Sequence, residues 1–317
     1  MNQRHWPEIS AQADGPTIAA LHLFSQVAGK VATAVVPWRN HGWHLTQHLS
    51  ARGFRSEPIH MASGAFELAF DLIDHRFIVE DSSGARRDLP LEPMSVAHFY
   101  EAAMAMLSEM GHEVAIDRRP NELDPAMPFP QDTAARPYDP DSAHRIWRAL
   151  LSADRLLRLF RSSFLGKASP VHFFWGSFDL AVTRFSGRTA PLHPGGIPNL
   201  PDEVTREAYS HEVSSAGFWP GGAGGGDPIF YSYAYPAPEG FAQTRVQPDA
   251  ARFDKDLGEF VLDYDAVRTA ADPDATLLAF LESTYAAAAD LGHWDRAALE
   301  CERGRPGVPR PLHPRNG

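Results

Sequence analysis

The sequence predicts an α+β fold of two similar halves, each combining an antiparallel sheet with helices. Helical and strand-like hydrophobic periods alternate along the chain, and a proline-rich stretch divides it near the middle. The string LHLFSQVAGKVATAVVPW (21–38) resembles LRLFRSSFLGKASPVHFFW (157–175), and SARGF (50–54) resembles SSAGF (214–218). We interpret these matches as an internal duplication whose two copies pack as one pseudo-symmetric unit.

The first half, residues 1–116, is expected to begin with a helix and to continue into strands. Gly29 can end the first helix, because glycine tolerates a left-handed cap. The turn-forming residues 81–84 favour a hairpin between two strands. The expected elements are helices over 15–29 and 95–110, and strands over 31–38, 43–54, 66–70 and 76–80.

Residues 117–138 are expected to form a proline-rich linker, after which residues 139–300 form the second half. Asp139 is suited to cap a helix, and Pro140 suits the first turn of that helix. The other expected elements are strands over 171–175 and 228–235 and a helix from Asp272 to Gly292.

Composition restricts the partners and the location of the protein. The chain has 317 residues and a net charge of −11 at pH 7, so an acidic surface disfavours nucleic acid. The single cysteine, Cys301, excludes an internal disulfide and indicates a reducing compartment. The sequence contains neither a signal-peptide pattern nor an apolar run of membrane-spanning length. We therefore expect a cytoplasmic protein that binds no membrane. The oligomeric state is left open, and the tail, residues 301–317, is expected to be disordered.

The densest concentration of reactive side chains lies between residues 172 and 219. Relative to the first half, the second half gains residues roughly between 176 and 206, and this inserted loop is expected to build a site. Three histidines in this region are candidate metal ligands or acid–base groups, and three charged residues are candidate catalytic groups. The histidines are His172, His193 and His211. The charged residues are Asp179 and Glu212, which would orient the histidines or move protons, and Arg184, which would hold an anionic group.

Three imidazoles would suit a divalent transition metal as cofactor, because a catalytic metal needs about three protein ligands and one open position. The spacing of these histidines matches no known metal-binding signature. His211 and Glu212 are adjacent, so on a regular strand they point to opposite faces. In the alternative interpretation, His172 and His211 are half-buried histidines that only form hydrogen bonds, and His193 is a loop residue.

These residues predict an enzyme that acts on a small polar or anionic molecule through a histidine and carboxylate site. A non-catalytic small-ligand-binding protein is the alternative, and a structural or interaction protein is the third. In the binding alternative, aromatic side chains line the pocket: Phe173, Phe174, Trp175, Phe178, Tyr209 and Trp219. Convergence of three ring nitrogens would favour catalysis or metal binding. Divergent histidines beside an aromatic cavity would favour binding.

The motif strings of the second half resemble the bacterial domain-of-unknown-function family 5996. The strings are HFFWGSFDLAVTRFSGR (172–188), HPGGIPNLP (193–201) and EAYSHEVSSAGFWPG (207–221). GKVATAVVPWRNHGWHL (29–45) and FELAFDLIDH (66–75) resemble the same family. The resemblance covers about residues 6 to 300. It implies no activity, substrate or cofactor, so no residue role is carried over from the family.

Overall fold

The computed structural model describes residues 6–310, and these residues form helices and antiparallel sheets, which confirms the α+β class. The helices are α1 (Ala11–Val35), α2 (Val96–Glu109), α3 (Pro140–Arg161), α4 (Asp202–Ala208), α5 (Tyr264–Arg268), α6 (Pro273–Leu291) and α7 (Arg296–Leu299). Short 3₁₀ turns lie at Asn40–Gly42, Phe129–Gln131 and Phe241–Gln243.

The first half contains one sheet with the strand order β1-β2-β4-β5-β6, and β3 pairs with β4. Its strands are β1 (His48–Ser50), β2 (Gly53–Arg55), β3 (Ile59–Met61), β4 (Gly64–Asp71), β5 (Arg76–Asp81) and β6 (Arg86–Pro90). A separate two-stranded ladder pairs β7 (Met94–Ser95) with β8 (Ala135–Arg136).

The second half contains a six-stranded sheet with the order β13-β14-β12-β11-β10-β9. Its strands are β9 (His172–Phe174), β10 (Asp179–Thr189), β11 (His211–Trp219), β12 (Ile229–Tyr235), β13 (Arg252–Asp254) and β14 (Glu259–Asp263). The long strands β10 and β11 pair from Leu180 against Phe218 onward, and β11 and β12 lie at the centre of this sheet.

The two sheets meet edge to edge. The backbone N–H of Gln47 donates to the carbonyl of Phe173 at 2.8 Å, and the N–H of Phe173 donates back at 2.9 Å. Phe54 of β2 contacts Phe173 of β9 with ring centroids 5.0 Å apart. Helices α2, α1, α3 and α6 contact one another in that order, and one hydrophobic core includes side chains of both halves.

Several helix starts and one hairpin agree with the sequence. Asp139 caps α3 by accepting a hydrogen bond from the Ser142 N–H, and Asp272 caps α6 in the same way. These short carboxylates satisfy N–H groups that have no partner inside the helix. Strands β4 and β5 include the expected segments 66–70 and 76–80.

The strand predicted over residues 31–38 is wrong, because α1 continues through this segment to Val35. Val27 and Val31 are buried in the core, and this burial outweighs the weak preference of β-branched residues for strands. The strings 21–38 and 157–175 therefore do not occupy equivalent elements. The second string contains the end of α3 and all of β9.

Helix α1 is the one described helix that is long and apolar enough to cross a membrane. Within its most apolar window, 78% of the residues are buried inside the protein. Phe24 of α1 stacks on Phe99 of α2 with ring centroids 4.5 Å apart. The apolar composition of α1 is therefore explained by its burial in the hydrophobic core.

The proline-rich segment 117–138 is bound to both halves. Lys30 of α1 donates to Asp117 at 2.9 Å and to the side chain of Asn121 at 2.5 Å. From the second half, the Asn199 side chain donates to the carbonyl of Leu123 at 2.6 Å. This segment is therefore held in a defined position where it crosses from one half to the other.

The predicted tail is partly described. The N–H of Cys301 donates to the carbonyl of Ser163 at 3.1 Å, and the N–H of Gly304 donates to the hydroxyl of Ser162 at 3.0 Å. Cys301 and Gly304 thus contact the end of α3. The remainder of the predicted tail, residues 311–317, lies outside the described residues.

Candidate functional site

The second sheet has a cavity on the face that points away from α3 and α6. Side chains alternate along β10, so Asp179, Ala181 and Thr183 face the cavity. Arg184 points to the other side, where its guanidinium lies over the rings of Phe160 and Tyr285. One sheet face therefore packs on helices, while the other carries the candidate site.

Segments from both halves cover this cavity. The turn around residues 41–45 comes from the first half. Glu122 comes from residues 117–138, which we call the crossing segment. The loop between β10 and β11 contributes Ile197 and Leu200, and α4 with the residue after it adds further cover. The enclosed space is about 200 Å³. This space is large enough for a small molecule, since a cavity of roughly 150 Å³ accepts a molecule the size of benzene.

Aromatic rings form much of the cavity wall. These rings belong to Trp43, Phe174, Trp175, Phe185, Tyr209, Tyr231 and Tyr233. The rings of Tyr231 and Tyr233 are nearly parallel, with an interplanar angle of 14°, and the hydroxyls of Tyr209 and Tyr233 are 2.8 Å apart. The wall is therefore mostly apolar, with phenol hydroxyls at fixed positions.

Asp179 is the central polar group, and only 7% of its surface is exposed. Its carboxylate accepts hydrogen bonds from the hydroxyls of Ser177 and Tyr231. Burial raises the pKa of Asp179, while these two hydrogen bonds act in the opposite direction by favouring the charged form. Gly217 makes room for this contact, because a Cβ there would lie 2.4 Å from the Tyr231 hydroxyl oxygen.

Two further carboxyl groups lie near Asp179. Burial, reinforced by the charge of Asp179, raises the pKa of Glu122 to about 7. The same causes, with a contribution from Asp254, raise the pKa of Glu259 to about 8. Glu259 lies in an adjoining cleft of about 310 Å³, and this cleft shares the side chains of Asp179 and Tyr231 with the cavity. Neutral and charged forms of these carboxyls are therefore both accessible near neutral pH.

Residues with positive φ angles are concentrated around the cavity. His41 and Glu122 line it and have φ angles of 60°. Phe178 has a φ angle of 65° and precedes Asp179, and Asn199 has a φ angle of 53° in the covering loop. Side chains other than glycine rarely adopt this region, and such strain clusters at binding and active sites. The concentration at one cavity supports a functional role for it.

Two buried polar atoms of cavity-lining residues have no hydrogen-bond partner. They are the indole nitrogen of Trp175 and the hydroxyl of Thr205, whose side chains are 3% and 2% exposed. An unsatisfied buried polar group costs about 1–3 kcal/mol, so native proteins rarely retain one without a reason. Both residues belong to the cavity wall, but the two atoms themselves have almost no solvent-accessible surface.

The described residues that line the cavity include no lysine or arginine. Lys167 lies behind His41 and contacts its ring nitrogen. Burial lowers the pKa of Lys167, and burial also lowers the pKa of His41. The ionisable groups that face the enclosed space are therefore mainly acidic.

The structure brings Asp179 into the cavity but does not bring the predicted histidines together. His172 is buried beside Trp43 and His48, and burial lowers its pKa to about 3. His193 stacks on the outer side of the wall residue Tyr209, with ring centroids 4.8 Å apart. His211 contacts the ring of His41 at a centroid distance of 5.7 Å.

Arg184 and Glu212 do not line the cavity. Arg184 donates to the carbonyl of Phe160, on the sheet face that packs against α3 and α6. Glu212 pairs with Arg188 at 2.6 Å, and Arg188 also donates to backbone carbonyls at the end of α6. The reason is the strand period of two, which places Asp179 and Arg184 on opposite faces of β10. Of Asp179, Glu212 and Arg184, only Asp179 lines the cavity.

Within residues 6–310, no group of three or more histidine, cysteine or acidic side chains is arranged to hold a metal ion. His172, His193 and His211 instead contact three different aromatic neighbourhoods. The geometry therefore gives no support to the expected three-histidine centre.

Sequence reasoning missed Glu122, Glu259, Tyr231 and Tyr233. The two tyrosines had a readable signal, since Tyr231, Tyr233 and Tyr235 alternate along one strand face. Glu259 is the first residue of β14, and the three residues that follow it are apolar. Glu122 had no comparable signal, because it lies in an irregular segment whose position depends on contacts distant in sequence. Of the predicted aromatic residues, Phe174, Trp175 and Tyr209 line the cavity, and Trp219 lines the adjoining cleft. Phe173 and Phe178 are fully buried in the core.

The fold and site thus define an α+β protein with an aromatic-walled, acidic cavity in its second sheet. The chain belongs to DUF5996, a family of unknown function, whose model matches residues 6–301. No curated protein is detectably similar to the chain. No solved structure is detectably similar to it either.

Proposed function

We propose that this protein binds a small polar molecule in the cavity between the second sheet and its covering segments. The observation that carries the proposal is an enclosed space of about 200 Å³ with aromatic walls and convergent polar groups. Ligand sites in proteins are mostly apolar concavities with a few placed polar groups. The divergence of the three predicted histidines also favours binding over a metal centre.

A cavity-filling variant tests this proposal. Ala181 faces the cavity from β10, so Ala181→Leu would occupy ligand space. The matched control is Ala51→Leu, at an exposed turn position. A library of small polar metabolites is screened by ligand-observed NMR against both variants and the wild type. We expect at least one ligand, with affinity reduced tenfold or more by Ala181→Leu and unchanged by Ala51→Leu. Failure to find a ligand, or binding that Ala181→Leu leaves intact, would overturn the proposal.

Acid–base catalysis on the bound molecule is the second candidate, and the carboxyl pair Asp179 and Glu122 favours it. Burial raises the pKa of Asp179 although hydrogen bonds from Ser177 and Tyr231 oppose the rise, and the raised proton affinity suits a base. The pKa of Glu122, raised to about 7, suits a proton donor at neutral pH. In this candidate function, Asp179 takes a proton from the ligand and Glu122 returns one.

Hydrogen exchange separates an enzyme from a binding protein. Ligands found in the screen are incubated with the protein in D₂O, and ¹H NMR follows loss of carbon-bound protons or formation of products. A catalyst is expected to lose at least a hundredfold in rate in Asp179→Asn. Glu92→Gln, at an exposed position in the first half, is the control. Binding without exchange or turnover would leave the protein as a binding protein.

We also propose that the chain arose by internal duplication and that the protein is cytoplasmic. Each half runs helix, antiparallel sheet, helix, and the sheets meet at the edge strands β1 and β9. This common order supports the duplication, although the matched strings fall on different elements. Superposition of experimentally determined halves, residues 11–109 on residues 140–291, tests the duplication.

The single cysteine, Cys301, supports a reducing compartment.

A further inference from the structure

The chemistry of the cavity restricts the kind of molecule that it can hold. Glu122 and Asp179 face the space, Glu259 faces the adjoining cleft, and no lysine or arginine lies among the described lining residues of either. An anionic ligand would meet two or three carboxyl groups and no compensating cation. A purely apolar ligand would leave buried carboxyls without charged partners.

We infer that the cavity selects ligands that carry an organic ammonium group, with the carboxylates of Asp179 and Glu122 opposite the charge and tyrosine faces around it. This inference rests on the proposed function, because it names the class of molecule that the same cavity binds. An ammonium group is attracted to aromatic faces as well as to carboxylates. Both kinds of partner are present in one wall.

The tyrosines that surround the carboxyls have fixed orientations. Tyr231 donates to Asp179, so its ring is anchored beside the carboxylate. The rings of Tyr231 and Tyr233 have centroids 6.1 Å apart, and the ring of Tyr209 meets that of Tyr233 at the same centroid distance with a tilt of 52°. Two nearly parallel rings and one tilted ring beside a carboxylate thus offer aromatic faces to a substituted ammonium ion.

Binding of a cation should be coupled to proton release. An ammonium ion favours charged carboxylates, so it draws protons from acids that burial keeps partly neutral. The other titratable groups at this site are His41, Tyr209, Tyr231 and Tyr233, with Asp254 beside Glu259. Burial lowers the pKa of His41 and raises the pKa values of the three tyrosines, so burial favours the neutral form of each group. Cation affinity should therefore rise with pH between about 6 and 8.

Matched pairs of cationic and neutral molecules test the inference on the full chain. Choline is compared with its neutral carbon isostere 3,3-dimethylbutan-1-ol, and n-butylamine is compared with 1-butanol. Isothermal titration calorimetry measures the dissociation constants at pH 6 and pH 8. We expect at least one cation to bind tenfold or more tightly than its neutral partner, and its affinity to increase roughly tenfold over this pH interval.

Variants test which acidic side chains are responsible for the preference for the cation. Asp179→Asn and, at the adjoining cleft, Glu259→Gln should each reduce the preference for the cation, whereas the exposed control Glu92→Gln should not. Retained binding of the neutral partner would show that each variant still forms the cavity. The second acidic variant keeps the test decisive if Asp179→Asn fails to fold.

The outcomes separate this inference from the proposed function. Equal affinity for the cation and its neutral partner would overturn the inference and leave a small-molecule site in place. No preference for either cation, together with another ligand that Ala181→Leu displaces, would do the same. Absence of all binding would overturn both. A tenfold cation preference that Asp179→Asn or Glu259→Gln removes would support the inference.

Discussion

At the scale of single residues, the site depends on close approaches that only small side chains permit. A Cβ at Gly176 would lie 2.1 Å from a carboxylate oxygen of Glu122. A Cβ at Gly217 would lie 2.3 Å from the backbone oxygen of Leu180, as well as against Tyr231. These glycines allow the acids and the phenol to approach the sheet backbone, where burial changes their pKa values.

Gly217→Ala should therefore destabilise the protein. The new methyl group meets a strand backbone that cannot move aside without breaking the ladder, so we expect a loss of about 2–3 kcal/mol in the free energy of unfolding. Urea denaturation measures it. Gly224→Ala is the control, because nothing lies within 4 Å of the added Cβ. Equal stability of the two variants would contradict the packing described for Gly217.

Glu122→Gln should change how stability depends on pH. The pKa of Glu122 is raised from 4.5 to about 7, so the folded protein holds a proton that the unfolded chain releases in this interval. Wild-type stability should therefore fall, relative to Glu122→Gln, as pH rises from about 4.5 to 7. Solvent access reduces the expected difference to about 1–2 kcal/mol. Urea titrations at pH 5 and pH 8 measure it, and a difference of opposite sign would contradict the burial of this carboxyl.

At the scale of elements, side chains alternate along β10, so one face of the strand packs on helices and the other face lines the cavity. The face with Arg184 is held against α3 and α6, where the guanidinium stacks on Phe160 and Tyr285. The face with Asp179 carries the cavity. The sequence contained this separation, because an odd and an even position on one strand cannot share a face. The prediction that Asp179 and Arg184 belong to one site did not take this alternation into account.

Arg184→Leu should therefore lower stability without changing the cavity. Loss of the buried hydrogen bonds and ring contacts should cost about 2–4 kcal/mol. Affinity for any ligand of the cavity should change less than twofold, because the side chain lies behind the sheet. Urea denaturation and calorimetric titration measure the two quantities. Arg118→Leu, at an exposed position of the crossing segment, serves as the control. A large loss of affinity with unchanged stability would place Arg184 in the binding site after all.

At the scale of the whole molecule, the cavity exists only where the halves meet. Trp43 comes from the first half, Glu122 comes from the crossing segment, and Asp179 comes from the second half. Lys30 holds the crossing segment at Asp117 and Asn121, so α1 helps to set the position of Glu122. Shared core contacts and the pairing of Gln47 with Phe173 join the halves further.

The two halves should therefore unfold together. A continuous core gives neither half an independent set of buried contacts, so we expect one cooperative transition in urea. Far-UV circular dichroism and tryptophan fluorescence should yield the same midpoint, within error. Two separated transitions would instead show that each half is stable alone, and would contradict the structural dependence of one half on the other.

Local sequence signals were sufficient to predict the α+β class, the starts of α3 and α6, the strands β4 and β5, and Asp179 as a candidate. These features depend on local periodicity, capping and turn chemistry, which neighbouring residues decide. Three other features became visible only in the folded chain: Val31 continues a helix, the histidines diverge, and Glu122 approaches Asp179. Each of these outcomes depends on burial against residues distant in sequence, and such contacts leave no local pattern to read.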